Sequence, residues 1–403
     1  MLKRTFAFSI LLLAIVFTGL AFALNTGDYG YTPGTEQPNV DISTYPTNFS
    51  PGTSSKLVSN GNPLPPFSAN RGGLARFFML SAGISQNDTV VNPNCKNCTH
   101  PHWNWGNKEV ITNARKDLTQ LLQNCVSTNR GGAVNCSAYW APAMVDISDG
   151  SVQPYSELTA YYKIAPALLD WLESNGKKVV VPPLGLRFVS GQASNSTVYS
   201  TGAALNGPMP RMVFGCTEAN GTNSATQQAT IPPCGQGGTV NIFIKSPHCW
   251  DGANLDSADH FSHMAMPLPG PNLQCPASHP IVVSSPESYG WKVPVTKPSG
   301  TLNWMLSSDN YIKNGYNGGL SGHIDWVNAW GPEEHLAFTE HCINQRRDSS
   351  NALCDGRRLL QAPLATVSEL TTKVILQAAN EGRMDIVAKY VPVDISGNTG
   401  KLK

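Results

Sequence analysis

Residues 239–244 read Thr-Val-Asn-Ile-Phe-Ile, a short run rich in β-branched and aromatic residues. Two similar runs are residues 178–181, Lys-Val-Val-Val before a Pro-Pro break, and residues 281–283, Ile-Val-Val after Pro280. Such runs, bounded by loops rich in Gly and Pro, are typical of β-strands. The chain contains 36 Gly and 30 Pro in 403 residues, which favours strands and turns over a helical bundle. These features predict a β-rich α+β fold with a β-sandwich-like core, long disulfide-tied loops and a few peripheral helices.

Helices are expected in three places within this β-rich pattern. Apolar residues recur at helical spacing over residues 108–122 and again over residues 158–173. A third helix is predicted over residues 333–346, where Pro332 occupies a first-turn position.

The N-terminus has the parts of a secretory signal peptide. Lys3 and Arg4 are basic, residues 6–20 are almost wholly apolar, and residues 21–23 read Ala-Phe-Ala. An uncleaved membrane anchor is the alternative, but the apolar run is short for a bilayer span. We therefore expect cleavage near Ala23 and a secreted, extracellular protein with no transmembrane segment after cleavage.

Composition shifts divide the remainder of the chain. Residues 24–71 are rich in Thr, Pro, Gly and Asn and are expected to form a flexible linker. The core domain is assigned to residues 72–362, with its first strand-like run near Leu74. Residues 363–403 are expected to form a C-terminal helical hairpin that is weakly similar to an ankyrin repeat.

Charge excludes one class of partner. The 28 Lys and Arg residues nearly balance the 27 Asp and Glu residues, so no surplus is present to build a basic stripe for nucleic acid. The sequence also lacks a phosphate-binding loop and a dinucleotide-binding fingerprint, so no nucleotide cofactor is expected.

Ten cysteines in an exported chain indicate disulfides. Pairing by proximity along the sequence is a hypothesis, because sequence alone does not determine connectivity. It predicts the bonds Cys125–Cys136, Cys216–Cys234, Cys249–Cys275 and Cys342–Cys354. Cys95 and Cys98 are left over, either as a fifth pair or as a redox pair. Six N-glycosylation sequons also occur, used only in a cell that N-glycosylates; they begin at Asn48, Asn87, Asn97, Asn135, Asn195 and Asn220.

Histidines fall in two motifs of the same spacing, His100-Pro-His102 and His323-Ile-Asp325. Residues two apart in an extended chain point to the same face, so each motif can present two ligands together. Imidazole and carboxylate groups suit a divalent transition metal of unknown identity. These four residues are therefore candidate metal ligands. The alternative for any single histidine is a buried hydrogen-bond network that orders loops.

A second polar cluster and several tryptophans supply the other candidate residues. Asp251, His260 and His263 are candidates for acid–base work, and Arg187 is a candidate for binding an anionic group. Trp103, Trp250 and Trp326 adjoin the histidine motifs and are candidates for stacking on sugar rings, although tryptophan more often fills a core.

Taken together, these motifs resemble a family of secreted fungal and bacterial proteins known as the domain of unknown function DUF1996. The resemblance covers roughly residues 73–360. It is carried by His100-x-His102-x-x-x-Gly106, Cys136-Ser-Ala-Tyr139-Trp140, His248-Cys249-Trp250-Asp251-Gly252, His260-x-x-His263 and His323-x-Asp325-Trp326. It implies secretion, a disulfide-bearing core and a histidine-rich set of motifs, but no established reaction.

Two functions remain open on the sequence. The leading hypothesis is an enzyme acting on extracellular or cell-wall polysaccharide, assisted by one divalent transition metal. The alternative is a non-catalytic glycan-binding or surface-structural module, in which the three tryptophans form the stacking platform.

Overall fold

The computed structural model describes residues 57–59, 67, 72–93, 99–108, 127–129, 134–191, 211–270, 273–309 and 318–359. Its helices in these ranges are α1 (Pro166–Ser174), α2 (Pro332–Phe338) and a π-helical turn (Thr339–Asn344). The strands of the first half are β1 Leu57–Ser59, β2 Leu74–Met79, β3 Ser81–Ser85, β4 His102–Gly106, β5 Ala138–Pro142, β6 Met144–Asp146, β7 Ser151–Val152, β8 Leu158–Lys163 and β9 Arg187–Gly191. Those of the second half are β10 Val213–Thr217, β11 Asn223–Gln228, β12 Thr239–Lys245, β13 Cys249–Trp250, β14 Met264–Ala265, β15 Ile281–Val282, β16 Ser288–Pro294, β17 Trp304–Leu306, β18 His323–Val327, β19 Asp348–Ser350 and β20 Arg357–Leu359.

Two large sheets form the body of the protein. A seven-stranded sheet has the order β11-β10-β12-β16-β8-β2-β19, and a five-stranded sheet has the order β3-β4-β5-β18-β9. Neighbouring strands are antiparallel except for β19 and β2, which are parallel. Three smaller sheets, β14-β13-β15, β17-β6-β7 and β1-β20, complete the strand pairing that the structure describes.

Aromatic side chains join the two large sheets. Trp105 of the five-stranded sheet packs against Trp291 of the seven-stranded sheet, with ring centroids 5.3 Å apart. The hydroxyls of Tyr139 and Tyr162, one from each sheet, share a 2.7 Å hydrogen bond. All four side chains are buried. The β-sandwich-like core predicted from the sequence is confirmed.

The strand predicted at residues 239–244 is β12, in which Val240, Ile242 and Ile244 are buried and alternate with more exposed residues. Alternation buries one face of the strand, and this matches the two-residue period of a β-strand. The prediction over residues 281–283 is also confirmed, by β15. The strand predicted over residues 178–181 is not formed, because only Val180 makes an isolated parallel bridge, to Val283.

One helix prediction is wrong in its first half. Residues 158–163 form β8, and the helix α1 begins only at Pro166. The side chains of β8 alternate between buried and half-buried, and the strand pairs with both β16 and β2. Tertiary pairing therefore overrides a local apolar pattern that also fits a helix. The helix predicted over residues 333–346 is formed by α2 together with the π-helical turn.

Several predictions lie wholly or mostly outside the described residues: the signal peptide, the helix over residues 108–122 and the C-terminal hairpin. In the predicted linker, residues 57–59 form β1, which pairs with β20. Backbone pairing therefore joins these three residues of the predicted linker to the core. The domain boundaries themselves stay predictions.

Three of the predicted disulfides are present, Cys216–Cys234, Cys249–Cys275 and Cys342–Cys354. Cys136 is also disulfide-bonded, while Cys125, Cys95 and Cys98 lie outside the described residues. The bond Cys125–Cys136 therefore stays a prediction. In the part of the chain that the structure describes, no helix is long and apolar enough to cross a membrane.

Candidate metal centre

The five-stranded sheet has two chemically different faces. Its inner face carries the aromatic side chains of the sandwich core, including Trp105 and Trp326. The register of the strands places four polar residues on the outer face. His102 and His323 lie in one row across the strands, and Asn104 and Asp325 lie in the next. Residues 87–90 are buried, and Val90 packs with Trp140 and Val189 of this outer face. The loop that contains Val90 therefore covers a polar surface and removes it from bulk water.

His100, His102 and His323 converge on this covered face. Each offers a ring nitrogen such that all three nitrogens lie within 4.8 Å of one another. Ring centroids of His100 and His102 are 4.3 Å apart, and those of His100 and His323 are 5.3 Å apart. His102 and His323 are buried, whereas His100 is half-buried. The two motifs therefore meet, and the half-buried His100 places the cluster near the surface.

Hydrogen bonds assign the ligand atom of His323. Its Nδ1–H donates to the backbone carbonyl of Ser321 at 2.8 Å, which leaves the lone pair on Nε2. A backbone carbonyl that holds the second ring nitrogen is the usual way in which proteins orient a metal-ligating imidazole.

Buried ring nitrogens without hydrogen-bond partners lie in the same histidine cluster. Among the described residues, Nε2 of His100 and both ring nitrogens of His102 have no hydrogen-bond partner. A buried polar atom without a partner costs about 1–3 kcal/mol, so a native structure rarely retains three together. A bound cation would satisfy one lone pair on each imidazole, while the N–H of the His102 ring is left to the backbone of Asn87.

The protonation state also suits a metal. Burial lowers the pKa of His100 well below its usual value, and the neighbouring His323 lowers it further. Burial likewise lowers the pKa of His102, with His100 and His323 adding to the effect. Both imidazoles are therefore neutral at pH 7, and neutral imidazole is the form that binds metal ions.

Asp325 lies beside the three histidines but outside their tightest grouping. Its Oδ2 is 3.7 Å from Nε2 of His323. Asp325 is fully buried, and neither carboxylate oxygen has a hydrogen-bond partner in the described ranges. Burial raises the pKa of Asp325 well above its usual value, and the charge of Asp88 raises it further. This carboxyl group is therefore poised either to bind a cation or to hold a proton.

Asp88 is a residue of the centre that the sequence motifs did not indicate. It is buried in the covering loop, and its Oδ1 accepts hydrogen bonds from the backbone N–H groups of Val90 and Val91 at 2.9 and 2.8 Å. Burial raises the pKa of Asp88. No local pattern singles it out, because its position near Asp325 depends on how the loop folds over the sheet.

The second polar cluster lies at the edge of the same sheet. The backbone N–H of Val189 in β9 donates to the carbonyl of His260, so the loop that contains His260 extends the sheet beyond Asp325 and Val189. Two strand spacings, about 10 Å, separate the backbones of Asp325 and His260. His260 has a positive φ of 61°, a conformation that is uncommon for a non-glycine residue.

Asp256 links two of the predicted catalytic residues. Its Oδ1 lies 2.9 Å from Nδ1 of His260, and its Oδ2 accepts a 2.9 Å hydrogen bond from Nε of Arg187. Burial acts to raise the pKa of Asp256, but the hydrogen bonds from His260 and Arg187 outweigh it and lower the pKa. The ion pair with Asp256 engages the guanidinium of Arg187. Arg187 thus has an internal partner, and its binding of an anionic group stays a prediction.

The other two candidates of this cluster, His263 and Asp251, form hydrogen bonds that stabilise the loop. His263 bonds to the hydroxyl of Ser257 through Nδ1 at 2.8 Å and to the carbonyl of Arg187 through Nε2 at 2.9 Å. Asp251 accepts backbone hydrogen bonds from Ala253 and Asn254 at 2.8 and 2.9 Å. Both side chains hold the loop against the sheet, and the structure does not place them beside the three histidines.

The three tryptophans predicted to stack on sugars are buried. Trp103 and Trp326 are fully buried and Trp250 is 1% exposed. The indole Nε1 of Trp103 donates to the carbonyl of Gln153 at 3.2 Å within the core. No ring face is presented to a ligand, so the predicted stacking role is wrong. Large apolar rings gain more from burial in a sandwich core than from remaining at the surface.

Cys216, Glu218 and Cys234 form a second group with metal-ligand spacing. The two cysteines are joined in a disulfide, so neither offers a thiolate to a metal.

Two buried histidines outside the centre predict acid sensitivity. Burial lowers the pKa of His248 to about 4 and that of His335 to about 3, both from 6.5. The unfolded chain therefore takes up protons first as the pH falls below 6.5. Each histidine then removes up to about 1.4 kcal/mol of unfolding free energy per pH unit until its folded pKa is reached.

We expect full stability above pH 6.5 and a steep decline towards pH 4, measured by urea unfolding across that range. The variant His335→Gln should show a shallower decline, whereas His341→Gln, which alters a less buried histidine, should match the wild type. An equal slope in all three proteins would contradict the assignment.

Comparison with known proteins gives one match. The family model described as a domain of unknown function (DUF1996) matches residues 88–330, more than half of the chain. That range begins at Asp88 and contains the three histidines and Asp325. No curated protein and no solved structure matches the chain.

Proposed function

The chain belongs to the DUF1996 family, a domain of unknown function, and from this premise we propose that it is a secreted, metal-assisted enzyme acting on extracellular or cell-wall polysaccharide. The single observation that carries the proposal is the convergence of ring nitrogens from His100, His102 and His323 within 4.8 Å of one another, with unpartnered nitrogens on His100 and His102. Three imidazoles that converge on one point are a common ligand set for Zn and Cu.

A divalent ion at this centre would supply a Lewis acid that polarises a bound oxygen. The protein itself holds the three imidazoles in position. Ser321 fixes the ring of His323, and the covering loop with Val90 excludes water from the outer face. His100 is the least buried of the three histidines, so it marks the side of the centre that lies nearest to solvent.

We assign proton transfer to His260, which lies at the edge of the five-stranded sheet. Asp256 holds Nδ1 of His260, so Nε2 remains to accept or give a proton. The side chain of His260 is 20% exposed, which gives it contact with solvent. Such a carboxylate–histidine pair is the usual arrangement of a general acid–base.

The alternative function, a non-catalytic glycan-binding module, loses its main support because the stacking tryptophans are buried. A polysaccharide substrate is inferred from the predicted secretion and from the polar residues around the centre.

A glycan array followed by product analysis tests the proposal. Wild-type protein loaded with Zn, Cu or Mn is expected to release products from at least one polysaccharide that it binds, and chelation should abolish release. His260→Ala should lower the turnover rate by about 10²–10⁴-fold, with metal content unchanged. His341→Ala, a matched removal of one histidine outside the site, should leave turnover unchanged. Binding without turnover on every bound glycan, or turnover insensitive to chelation, would overturn the proposal.

A further inference from the structure

Three of the six sequons lie in the described residues, and their surroundings differ. Asn87 and Asn135 are 1% and 0% exposed. Nδ2 of Asn135, the atom to which a glycan would be joined, donates to the hydroxyl of Tyr139 at 3.3 Å inside the core. Asn220 is exposed. A glycan on either buried asparagine is incompatible with this fold, whereas Asn220 has room for one.

Asn220 lies in the turn between β10 and β11, in the sequence Asn220-Gly221-Thr222. Its Oδ1 accepts the backbone N–H of Thr222 at 2.9 Å, and Gly221 has a φ of +84°. This turn holds the carboxamide against the third residue of its own sequon and leaves Thr222 exposed. Acceptor amide and hydroxyl residue are thus presented together at the surface.

The strand that follows is an edge that no other strand covers in the described residues. β11 is the end strand of the seven-stranded sheet, and five of its six residues are exposed. Its sequence, Asn-Ser-Ala-Thr-Gln-Gln, carries no charge and no proline. Proteins usually guard such an edge with charges, proline or a covering element, because its free backbone groups can pair with another chain.

We propose that Asn220 is an N-glycosylation site and that its glycan shields the free edge of β11. Addition of the glycan joins Nδ2 of Asn220 to the reducing carbon of an oligosaccharide and releases the lipid pyrophosphate that carried it. The branched, hydrated chain then projects from the turn beside β11 and blocks close approach of a second strand. Glycosylation of Asn220 shares the predicted secretory route with the proposed function but does not depend on the metal centre, so loss of metal binding would leave it intact.

The test uses the full chain secreted from a eukaryotic host and purified from the medium. An endoglycosidase that leaves one N-acetylglucosamine on each occupied asparagine allows occupancy to be read by peptide mass spectrometry. That tag also distinguishes glycosylation from deamidation at Asn220-Gly221. We expect the tag on Asn220 and its absence from Asn87 and Asn135. Thr222→Ser, which keeps the sequon, should retain the tag, and Thr222→Ala should lose it.

The shielding role has its own measurement. Light scattering coupled to size exclusion is expected to show Thr222→Ala and Asn220→Gln associating at concentrations where the wild type and Thr222→Ser remain monomeric. Equal association of all four proteins would refute shielding. Retention of the wild type inside the cell, an unmodified Asn220 in the secreted protein, or a tag on Asn87 or Asn135 of the folded protein would overturn the assignment of the site.

Discussion

Protein purified without a histidine tag is expected to carry about one equivalent of a divalent transition metal, and His102→Gln is expected to lose it. His102 contributes a fully buried imidazole whose nitrogens have no other hydrogen-bond partner in the described chain. Removal of one of three nitrogen ligands leaves two imidazoles, which hold the ion much more weakly. Elemental analysis of the dialysed protein gives the metal content.

His100→Ala separates ligand loss from damage to the core, because His100 is only half-buried. It should also lose the metal while keeping the circular dichroism spectrum of the wild type. His341→Ala, which removes a histidine from the π-helical turn, should keep the full metal content. Less than about a tenth of an equivalent of every transition metal in the untagged wild type would remove the metal hypothesis.

Reduction of the disulfides is expected to unfold the protein. The three described bonds close loops with sequence separations of 18, 26 and 12 residues. Each closure stabilises the folded state by about 3 kcal/mol in the chain-entropy model. Together the three contributions are comparable to the whole net stability of a domain, about 5–15 kcal/mol. Only 14% of the residues are charged, so the opened chain is expected to aggregate.

Thiol counting on the denatured, unreduced mature protein provides the check. No free thiol is expected from the described cysteines, and light scattering should rise when a reductant is added at neutral pH. The double variant Cys342→Ser, Cys354→Ser opens the shortest of the three loops and should lower the midpoint of thermal unfolding without full unfolding. A reduced wild type that keeps its native spectrum and unfolding midpoint would show that the disulfides contribute little.

Features that depend only on neighbouring residues, such as strand alternation and short disulfide loops, could be predicted from the sequence. The alternation of Val240, Ile242 and Ile244 predicted β12, since a strand buries every second side chain. Near neighbours among the cysteines predicted three disulfides, since short loops bring such pairs together most readily. The same two-residue spacing placed His323 and Asp325 on one face, and they lie 3.7 Å apart.

Other features were decided only when distant segments packed together. Residues 158–163 form a strand because β16 and β2 lie on either side of them, a fact that their own sequence does not contain. Trp103, Trp250 and Trp326 were expected at a binding surface, yet each fills the core, since a local motif does not reveal which face of a strand is covered.

The sequence by itself determined the residue types of the candidate centre and the pairing of each motif along its own strand. The tertiary structure alone decided that His100 and His102 meet His323, across more than two hundred intervening residues, and that the charge of Asp88 in the covering loop acts on Asp325. It also turned Arg187 towards Asp256 and left Asn220 exposed while burying Asn135. The physical reason is the same in each case: spacing along a chain sets which side chains share a face, whereas burial and long-range contact depend on what packs against that face.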